Sequence, residues 1–234
     1  MRSAKRILTS KRRNNMTEYM ENNGILPEND VMPSDWIPEN SIIKVIGVGG
    51  GGCNAVNYMY NQRIEDCTFI VYNTDAQALN SCDVPIKIQL GEGLGAGTNP
   101  TEGRNAALNS QDEIAEKVLD EKTEMLFITA GMGGGTGTGA APVIASMAKK
   151  KGILTVGVVT IPFRNQGPEA MSKALDGITE LEKNVDSLLI IDNEKLFEVY
   201  GDLLIQEAFP KADEVLATAV RGITEIIKKK GYVN

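Results

Sequence analysis

Three clusters of glycine lie in this sequence between segments with strand or helix character. They span residues 47–54 (GVGGGGCN), 91–99 (GEGLGAGTN) and 131–139 (GMGGGTGTG). Glycine adopts positive φ freely and has no Cβ, so successive N–H groups can point to one place and phosphate oxygens can approach the backbone. The third cluster leads into a predicted helix, whose N-terminus adds partial positive charge. The clusters therefore predict a site for a polyphosphate.

Two alternative roles for the glycines have to be weighed against a polyphosphate site. Gly47, Gly49 and Gly52 match the G-x-G-x-x-G pattern of dinucleotide-binding enzymes, and Asp75 follows where a ribose-binding acid would lie. The third cluster argues against this oxidoreductase hypothesis, because a dehydrogenase does not need so many glycines after its fourth strand. A flexible linker is the second alternative, but clear strand and helix patterns flank the cluster. A P-loop is excluded, since G-x-x-x-x-G-K-[ST] does not occur.

Charge and cysteine content exclude further classes of site. Residues 41–234 carry the whole net charge of −7, whereas nucleic-acid binding requires a basic face. A bound polyphosphate must then be held by local backbone amides and a metal ion rather than by a general positive field. The cysteines Cys53, Cys67 and Cys82 occur without any histidine, which fits no zinc site and indicates a reducing cytoplasm. We expect three unreactive thiols.

The elements that position the glycine clusters alternate along the chain. Apolar runs predict strands over residues 42–48, 68–72, 86–90, 125–129, 154–161 and 187–191. Helical patterns lie over residues 54–61, 101–119, 140–150 and 168–183. This alternation predicts an α/β fold, a Rossmann-like, doubly wound parallel sheet with helices on both faces. Ligands bind such sheets at the carboxyl ends of the strands, where the glycine clusters lie.

The two ends of the chain differ from this body. Residues 1–40 are polar and include a basic segment, residues 2–13, which we interpret as a disordered arm rather than a transit peptide. From Phe209 onward, apolar residues at helical spacing predict a long final helix with one apolar stripe. We therefore expect an arm over residues 1–40 and a nucleotide-binding domain over residues 41–234. No apolar run is long enough to predict a membrane span.

The motifs around the glycine clusters resemble those of the tubulin/FtsZ family of GTPases. The resemblance rests on VIGVGGGG, NTDAQAL, GLGAGTNP and GMGGGTGTGAAPV, at residues 45–52, 73–79, 93–100 and 131–143, and on residues 209–223. Their order is more similar to the bacterial cell-division branch, FtsZ, than to eukaryotic tubulin. The resemblance implies binding of GTP or GDP with Mg²⁺. In complete family members it also implies GTP hydrolysis coupled to head-to-tail polymerisation.

The resemblance assigns individual residues to the nucleotide. They are Gly49, Gly50, Gly51, Asn54, Asp75, Ala96, Gly97, Thr98, Gly134, Gly135, Thr136, Gly137, Gln166, Asn193, Phe209 and Asp213. The first cluster would line the α- and β-phosphates, the second would meet the γ-phosphate, and the third would hold the triphosphate from the other side. Asp75 would lie near the phosphates and Mg²⁺, while the metal ligands themselves stay unassigned.

The same resemblance places three residues at the base. Asn193 and Asp213 would read guanine, and Phe209 would stack on its ring. A carboxylate such as Asp213 can accept from both the N1–H and the exocyclic amine of guanine, which adenine does not offer in that arrangement. Two alternatives stay open, because Phe209 could be the first core residue of its helix and Asn193 could be only a helix N-cap.

The chain departs from the family pattern in three places that bear on the site. In the family's PF-x-FEG-x-x-R segment, here residues 162–170, Gln166 replaces a ribose-binding glutamate and Ala170 replaces an arginine that contacts the nucleotide. Gln166 can still hydrogen-bond, but we expect the lost charged contact to weaken GTP binding by about 1–3 kcal/mol. Cys53 stands where a glycine or small polar residue is usual, and we expect it to face the phosphates with little effect.

The printed sequence reaches Asn234 at the threshold of the family's N-x-D-F-A-D loop, whose acid positions the attacking water in the neighbouring subunit. We therefore expect no catalytic residue and no second domain within these residues, and weak or no hydrolysis by them alone. We expect self-association through the nucleotide face, other division proteins as partners, and a cytoplasmic location at the division site. The alternative hypothesis is a catalytically silent regulator that caps or co-assembles with full-length filaments.

Overall fold

A single parallel sheet organises the protein. The structure is a computed structural model and describes residues 41–64, 67–201 and 205–229. Its strands are β1 Ile43–Val48, β2 Cys67–Asn73, β3 Ile86–Gln89, β4 Met125–Gly131, β5 Leu154–Ile161 and β6 Ser187–Asp192. They run in the order β3-β2-β1-β4-β5-β6, and all neighbours pair in parallel. The predicted Rossmann-like α/β fold is confirmed.

Helices follow the strands as the sequence predicts, with different bounds. In the described residues they are α1 Gly49–Asn61, α2 Ala76–Asn80, α3 Pro100–Asn109, α4 Gln111–Lys117, α5 Thr136–Lys150, α6 Pro168–Glu182, α7 Asn193–Tyr200 and α8 Ile205–Lys229. A 3₁₀ turn, Arg164–Gln166, precedes α6. The predicted arm over residues 1–40, with its basic segment, lies outside the described residues.

Alternate side chains of each strand enter two separate cores. On one face of the sheet, Ile46 and Ile128 pack among buried residues of α3, α4, α5 and α6. On the other face, Val45 and Phe127 pack against α1 and α8. Because both faces are covered, the inner strands are mostly apolar, which is why they read as apolar runs in the sequence.

Two helix boundaries differ from the sequence prediction for identifiable reasons. Helix α1 begins at Gly49 and so includes most of the first glycine cluster. The sequence predicts a loop there, because glycine has a low helix propensity. The predicted helix over residues 101–119 is two helices, which meet at Ser110 in a non-helical conformation (φ −105°, ψ 17°). Asn99 caps α3 by accepting a hydrogen bond from Thr101 N, with proline as the first helical residue.

The long final helix, α8, begins at Ile205 rather than Phe209. Its predicted apolar stripe is present, and Leu216, Ala217 and Val220 are buried against α1 and the sheet. This packing fixes the orientation of α8, so that the residues near its start lie at the carboxyl edge of β5. The predicted cap at Gly231 lies outside the described residues. Among the described helices, none has the length and apolarity needed to cross a bilayer.

Candidate functional site

The three glycine clusters meet at the switch point of the sheet. Strand β1 pairs with β2 on one side and with β4 on the other, so the chain leaves β1 in one direction and later returns on its opposite side. In open α/β sheets the crevice at such a point, beyond the carboxyl ends of the strands, is where ligands bind. The loops after β1 and β4 carry the first and third clusters, which therefore flank this crevice.

The first and third clusters touch each other through glycine. Gly49 has a φ of +73°, and a Cβ on it would lie 2.7 Å from Gly137 N. A Cβ on Gly51 would lie 3.2 Å from Gly131 Cα. Only glycine allows both the backbone conformation and this approach of α1 to the start of α5. Gly49 and Gly137 therefore serve the packing of the two loops in addition to any contact with a ligand.

The second cluster is joined to the same place through Thr74. The hydroxyls of Thr74 and Thr136 share a buried hydrogen bond of 2.7 Å. Gly95 N donates to Thr74 O at 2.8 Å, and Asp75 forms a short antiparallel bridge with Leu94. The loop after β3 thereby closes over the end of β2 and reaches the start of α5. All three clusters converge, as the sequence predicts from their positions after strands.

Four glycines on these loops have free space where a side chain would be. A Cβ added to any of them meets nothing within 4 Å, and all four are exposed: Gly50, Gly95, Gly97 and Gly134. Gly95 and Gly97 have positive φ values of +83° and +52°, which favour glycine by themselves. At Gly50 and Gly134 neither the backbone conformation nor the packing requires glycine. A polyphosphate drawn close to the backbone would require it there, because a Cβ at these points would occupy the space of the phosphate oxygens. This open space in the crevice fits a nucleotide's phosphate chain.

A carboxylate predicted for the site, Asp75, and a hydroxyl of the third glycine cluster, Thr138, are engaged by the protein. Asp75 Oδ1 accepts hydrogen bonds from Gln77 N and Ala78 N and so caps α2. Thr138 Oγ1 accepts from Gly133 N at 2.9 Å, which turns it inward from the crevice. Asn54 and Gln166 are exposed, on α1 and on the 3₁₀ turn.

Asn193 is the first residue of α7, directly after β6, and it has an unsatisfied oxygen. Its side chain is buried at 5% exposure, and its Oδ1 has no hydrogen-bond partner among the described residues. The N-cap alternative does not hold, because Asp192 Oδ1 accepts from Glu194 N at the start of α7. A buried amide oxygen without a partner costs free energy that a ligand donor would recover. The site therefore offers an acceptor to a bound base or sugar.

Phe209 and Asp213 lie one helical turn apart on α8 and share a face. The ring of Phe209 is 46% exposed and packs edge-on against Phe163 at 5.2 Å between centroids, so the alternative of a core residue is wrong. Asp213 is partly buried, and this burial raises the pKa of its carboxyl to about 7. A flat apolar ring and a carboxyl group thus stand beside each other at the edge of β5.

Cys53 does not face the crevice, contrary to the expectation from its position in the first cluster. It is buried on the α1 face that points into the core, where its Sγ lies 3.4 Å from Tyr72 O. Because the cluster is helical from Gly49, successive residues turn away from the phosphate side by about 100° each. None of Cys53, Cys67 and Cys82 forms a disulfide. The Sγ of Cys82 lies 3.5 Å from Ala78 O, one helical turn earlier.

Two features of the site could not be read from spacing. Thr98 has a φ of +60°, which is unusual for a residue other than glycine. Lys173 on α6 donates from Nζ to Thr98 O at 3.1 Å, across 75 positions of sequence. The cap at Asn99, in contrast, could be read from the sequence, because an Asn-Pro pair at residues 99–100 is typical of a helix start.

Comparison with known proteins gives one consistent result. Residues 42–201 match the sequence model described as the tubulin/FtsZ family, GTPase domain. The cell division protein FtsZ of Pseudomonas putida is 55% identical over 205 residues, which are 86% of this chain and 51% of that protein. The mitochondrial division protein fszA of Dictyostelium discoideum is 52% identical over 206 residues, 86% of this chain and 39% of that protein. The chain thus spans about half the length of the curated relatives it matches.

Solved structures agree with the sequence matches. An empty FtsZ dimer from M. jannaschii superimposes with a TM-score of 0.77 at 44% identity, over 82% of this chain and 57% of that one. CetZ2 from Haloferax volcanii, described as a GTPγS-bound protofilament, has a TM-score of 0.69 at 22% identity over 77% of this chain, which shows a shared fold.

Proposed function

The chain belongs to the tubulin/FtsZ family, and from this premise we propose that it binds GTP and GDP as the nucleotide-binding part of a cell-division GTPase. The observation that carries the proposal is the convergence of three glycine clusters on a crevice where four exposed glycines have open space in place of a side chain. The carboxyl edge of one sheet carries the three glycine clusters, the unsatisfied oxygen of Asn193 and the ring of Phe209.

The phosphates occupy the glycine end of this crevice in our proposal. Backbone N–H groups of Gly50 and Gly51, with Asn54, hold the α- and β-phosphates from one side. The residues around Gly134 hold them from the other side, where the N-terminus of α5 contributes its partial positive charge. The loop that contains Ala96, Gly97 and Thr98 reaches the γ-phosphate, so its position distinguishes GTP from GDP.

The base lies at the other end, against α8. Phe209 offers a ring face for stacking, Asn193 Oδ1 accepts a hydrogen bond, and ionised Asp213 accepts from the two donors of the guanine edge. Gln166, exposed on the 3₁₀ turn, hydrogen-bonds the ribose in place of the family's glutamate. Adenine offers no matching pair of donors, so Asp213 favours GTP over ATP.

Magnesium fits this arrangement as a companion of the phosphates. Across the part of the chain that the structure describes, no group of three or more acidic or cysteine side chains is placed to hold a metal ion. Mg²⁺ commonly keeps several waters and is bound by substrate phosphates with only one or two carboxylates. Mg²⁺ would lie beside the phosphates near Asp75, where it would neutralise charge on the triphosphate.

Hydrolysis needs a group that orients the attacking water, and we propose that a neighbouring subunit supplies it. The proposed reaction occurs between neighbours, with an acid of one subunit completing the pocket of the next. The nucleotide face is then also the assembly surface, and Leu94, 88% exposed between two glycines of the second cluster, gives that face an apolar contact. Assembly at the cytoplasmic division site, together with other division proteins, completes the proposal.

A competition experiment tests nucleotide binding directly. A fluorescent GTP analogue is bound to the protein with Mg²⁺ present and displaced with GTP, GDP, ATP or NAD. We expect displacement by GTP and GDP at concentrations at least tenfold lower than by ATP, and none by NAD, in keeping with recognition of the guanine edge. Displacement by NAD and not by GTP would overturn the proposal in favour of a dinucleotide enzyme.

A further inference from the structure

Lys173 places a positive charge beside the loop that the proposed function assigns to the γ-phosphate. Its Nζ lies 3.1 Å from Thr98 O and 2.6 Å from Glu169 Oε1, and its side chain is 26% exposed. The ammonium group therefore reaches from α6 across to the second glycine cluster. Its carboxylate partner, Glu169, is 82% exposed and lies one helical turn earlier.

The backbone at this loop is held in an uncommon conformation. Gly97 and Thr98 have consecutive positive φ values of +52° and +60°. For threonine, which is β-branched, this region is disfavoured by about 1–2 kcal/mol relative to the usual ones. The hydrogen bond from Lys173 to Thr98 O is one interaction that stabilises the turn. The same side chain thus both orients the loop and adds charge to it.

The position of Lys173 on α6 relates it to Ala170, where the resemblance to the family implies an arginine. The carbonyl oxygen of Ala170 would lie 2.9 Å from a Cβ on Gly133 in the third cluster. Residues three apart on a helix lie on the same face, so Lys173 follows Ala170 along the side that faces the crevice. The domain's net charge of −7 supplies no general attraction for a triphosphate, so a local cation matters.

We infer that Lys173 replaces the missing arginine and makes the site selective for GTP over GDP, by holding the Gly97–Thr98 turn and contacting the γ-phosphate. Lysine is a flexible cation that binds phosphate as a point charge. Before the nucleotide binds, Glu169 and Thr98 O hold the ammonium. When the triphosphate enters, a phosphate oxygen takes the place of the exposed Glu169. This inference rests on the proposed GTP site and deepens it.

Affinities for GTP and for GDP, measured separately for each variant by the same competition assay, test the inference. We expect Lys173→Gln to bind GTP about tenfold more weakly, as for a lost charge-assisted hydrogen bond, while GDP binding changes less than about twofold. Lys173→Arg should keep GTP affinity, and Ala170→Arg added to Lys173→Gln should restore most of it. Glu169→Gln should bind GTP a few-fold more tightly, because the competing carboxylate is removed.

Lys183→Gln is the matched control, since Lys183 lies on the same segment and pairs with Glu180 at 3.0 Å far from the glycine loops. It should leave both affinities unchanged. Equal losses of GTP and GDP binding in Lys173→Gln, or no loss of either, would overturn the inference. If Lys173→Gln does not fold, an unchanged GTP affinity in Glu169→Gln would also count against it. Wild-type protein that binds no GTP would instead overturn the proposed function.

Discussion

Asp213 is a carboxyl group in an environment that disfavours its charge. Burial raises its pKa to about 7, far above the usual value for aspartate, and no stabilising partner contributes to that shift. A group with this behaviour is suited to a ligand that brings its own donors. In the proposed complex, the N1–H and amine of guanine supply the hydrogen bonds that the carboxyl lacks in the protein alone.

The first prediction at the residue scale concerns base selectivity. Asp213→Asn replaces one acceptor oxygen by a donor, which faces a donor on guanine. We expect GTP affinity to fall by about 2–3 kcal/mol, as for a lost hydrogen bond to a charged group, with little change for ATP. Competition measured against both nucleotides checks this. An unchanged GTP/ATP ratio would contradict the assignment of Asp213 to the base.

The second residue-scale prediction follows from the same pKa. Guanine requires the ionised carboxylate, so below pH 7 binding must expel a proton from Asp213, and affinity falls as the pH is lowered. With a pKa near 7, GTP should bind about tenfold more weakly at pH 6 than at pH 8. The phosphates also titrate in this range. Asp213→Asn is the control, because the phosphates of GTP titrate in the same way with either protein. The variant should therefore keep the pH dependence that comes from the phosphates and lose the part that comes from the Asp213 carboxyl.

At the scale of elements, the glycines of the site divide into two groups. One group lets helices and loops approach closely, and Gly139 on α5 belongs to it, since a Cβ there would collide with the carbonyl oxygen of Pro100 and lie 2.7 Å from Arg104 N. The other group, which includes Gly134, has open space at the same point. The sequence motif does not separate these groups, although their roles differ.

This division gives a prediction that separates folding from binding. Gly139→Ala should destabilise the protein by about 1–3 kcal/mol through overpacking of α3 against α5. The melting temperature should then fall by roughly 2–4 °C per kcal/mol. Gly134→Ala should leave stability within about 0.5 kcal/mol and yet weaken GTP binding, because its methyl group occupies phosphate space. Thermal unfolding and nucleotide binding, measured on both variants, check the pair; a stable Gly139→Ala protein would contradict it.

At the scale of the whole molecule, the question is what the nucleotide pocket does once it is filled. In the proposed function, the described residues bring together a cradle for phosphates and a place for the base. In our proposal, the water that attacks the γ-phosphate is oriented by a neighbouring subunit. Binding and turnover are then separable properties in this proposal, and the crevice at the glycine clusters accounts for the first of them.

A turnover experiment tests this separation. We expect the isolated chain to hydrolyse GTP about a hundredfold or more slowly than an intact FtsZ such as that of Pseudomonas putida, as when a general base is removed. Mixing the two should raise phosphate release per intact molecule if an acid of the intact protein completes this chain's pocket. Lower polymerisation of the intact protein without added turnover would support the capping alternative. Rapid hydrolysis by the isolated chain would contradict the proposal.

The sequence by itself determined the fold class and the place of the site. Apolar runs such as that at β4 are strands because both faces of the sheet are covered, and their alternation with helices leaves a parallel sheet as the solution. The glycine clusters follow strands, so they must meet at the carboxyl edge. These properties depend on local pattern and on general rules of chain connection, which a single sequence contains.

Only the tertiary structure decided how individual side chains are used. Cys53 turns into the core because α1 begins four residues earlier. Thr138 Oγ1 accepts a hydrogen bond from Gly133 N and does not face the crevice. The contact between Lys173 and Thr98, the open space at Gly134 and the unsatisfied oxygen of Asn193 depend on segments far apart in the chain. The physical reason is that orientation, burial and close approach are set when the elements pack, and local spacing carries no record of that packing.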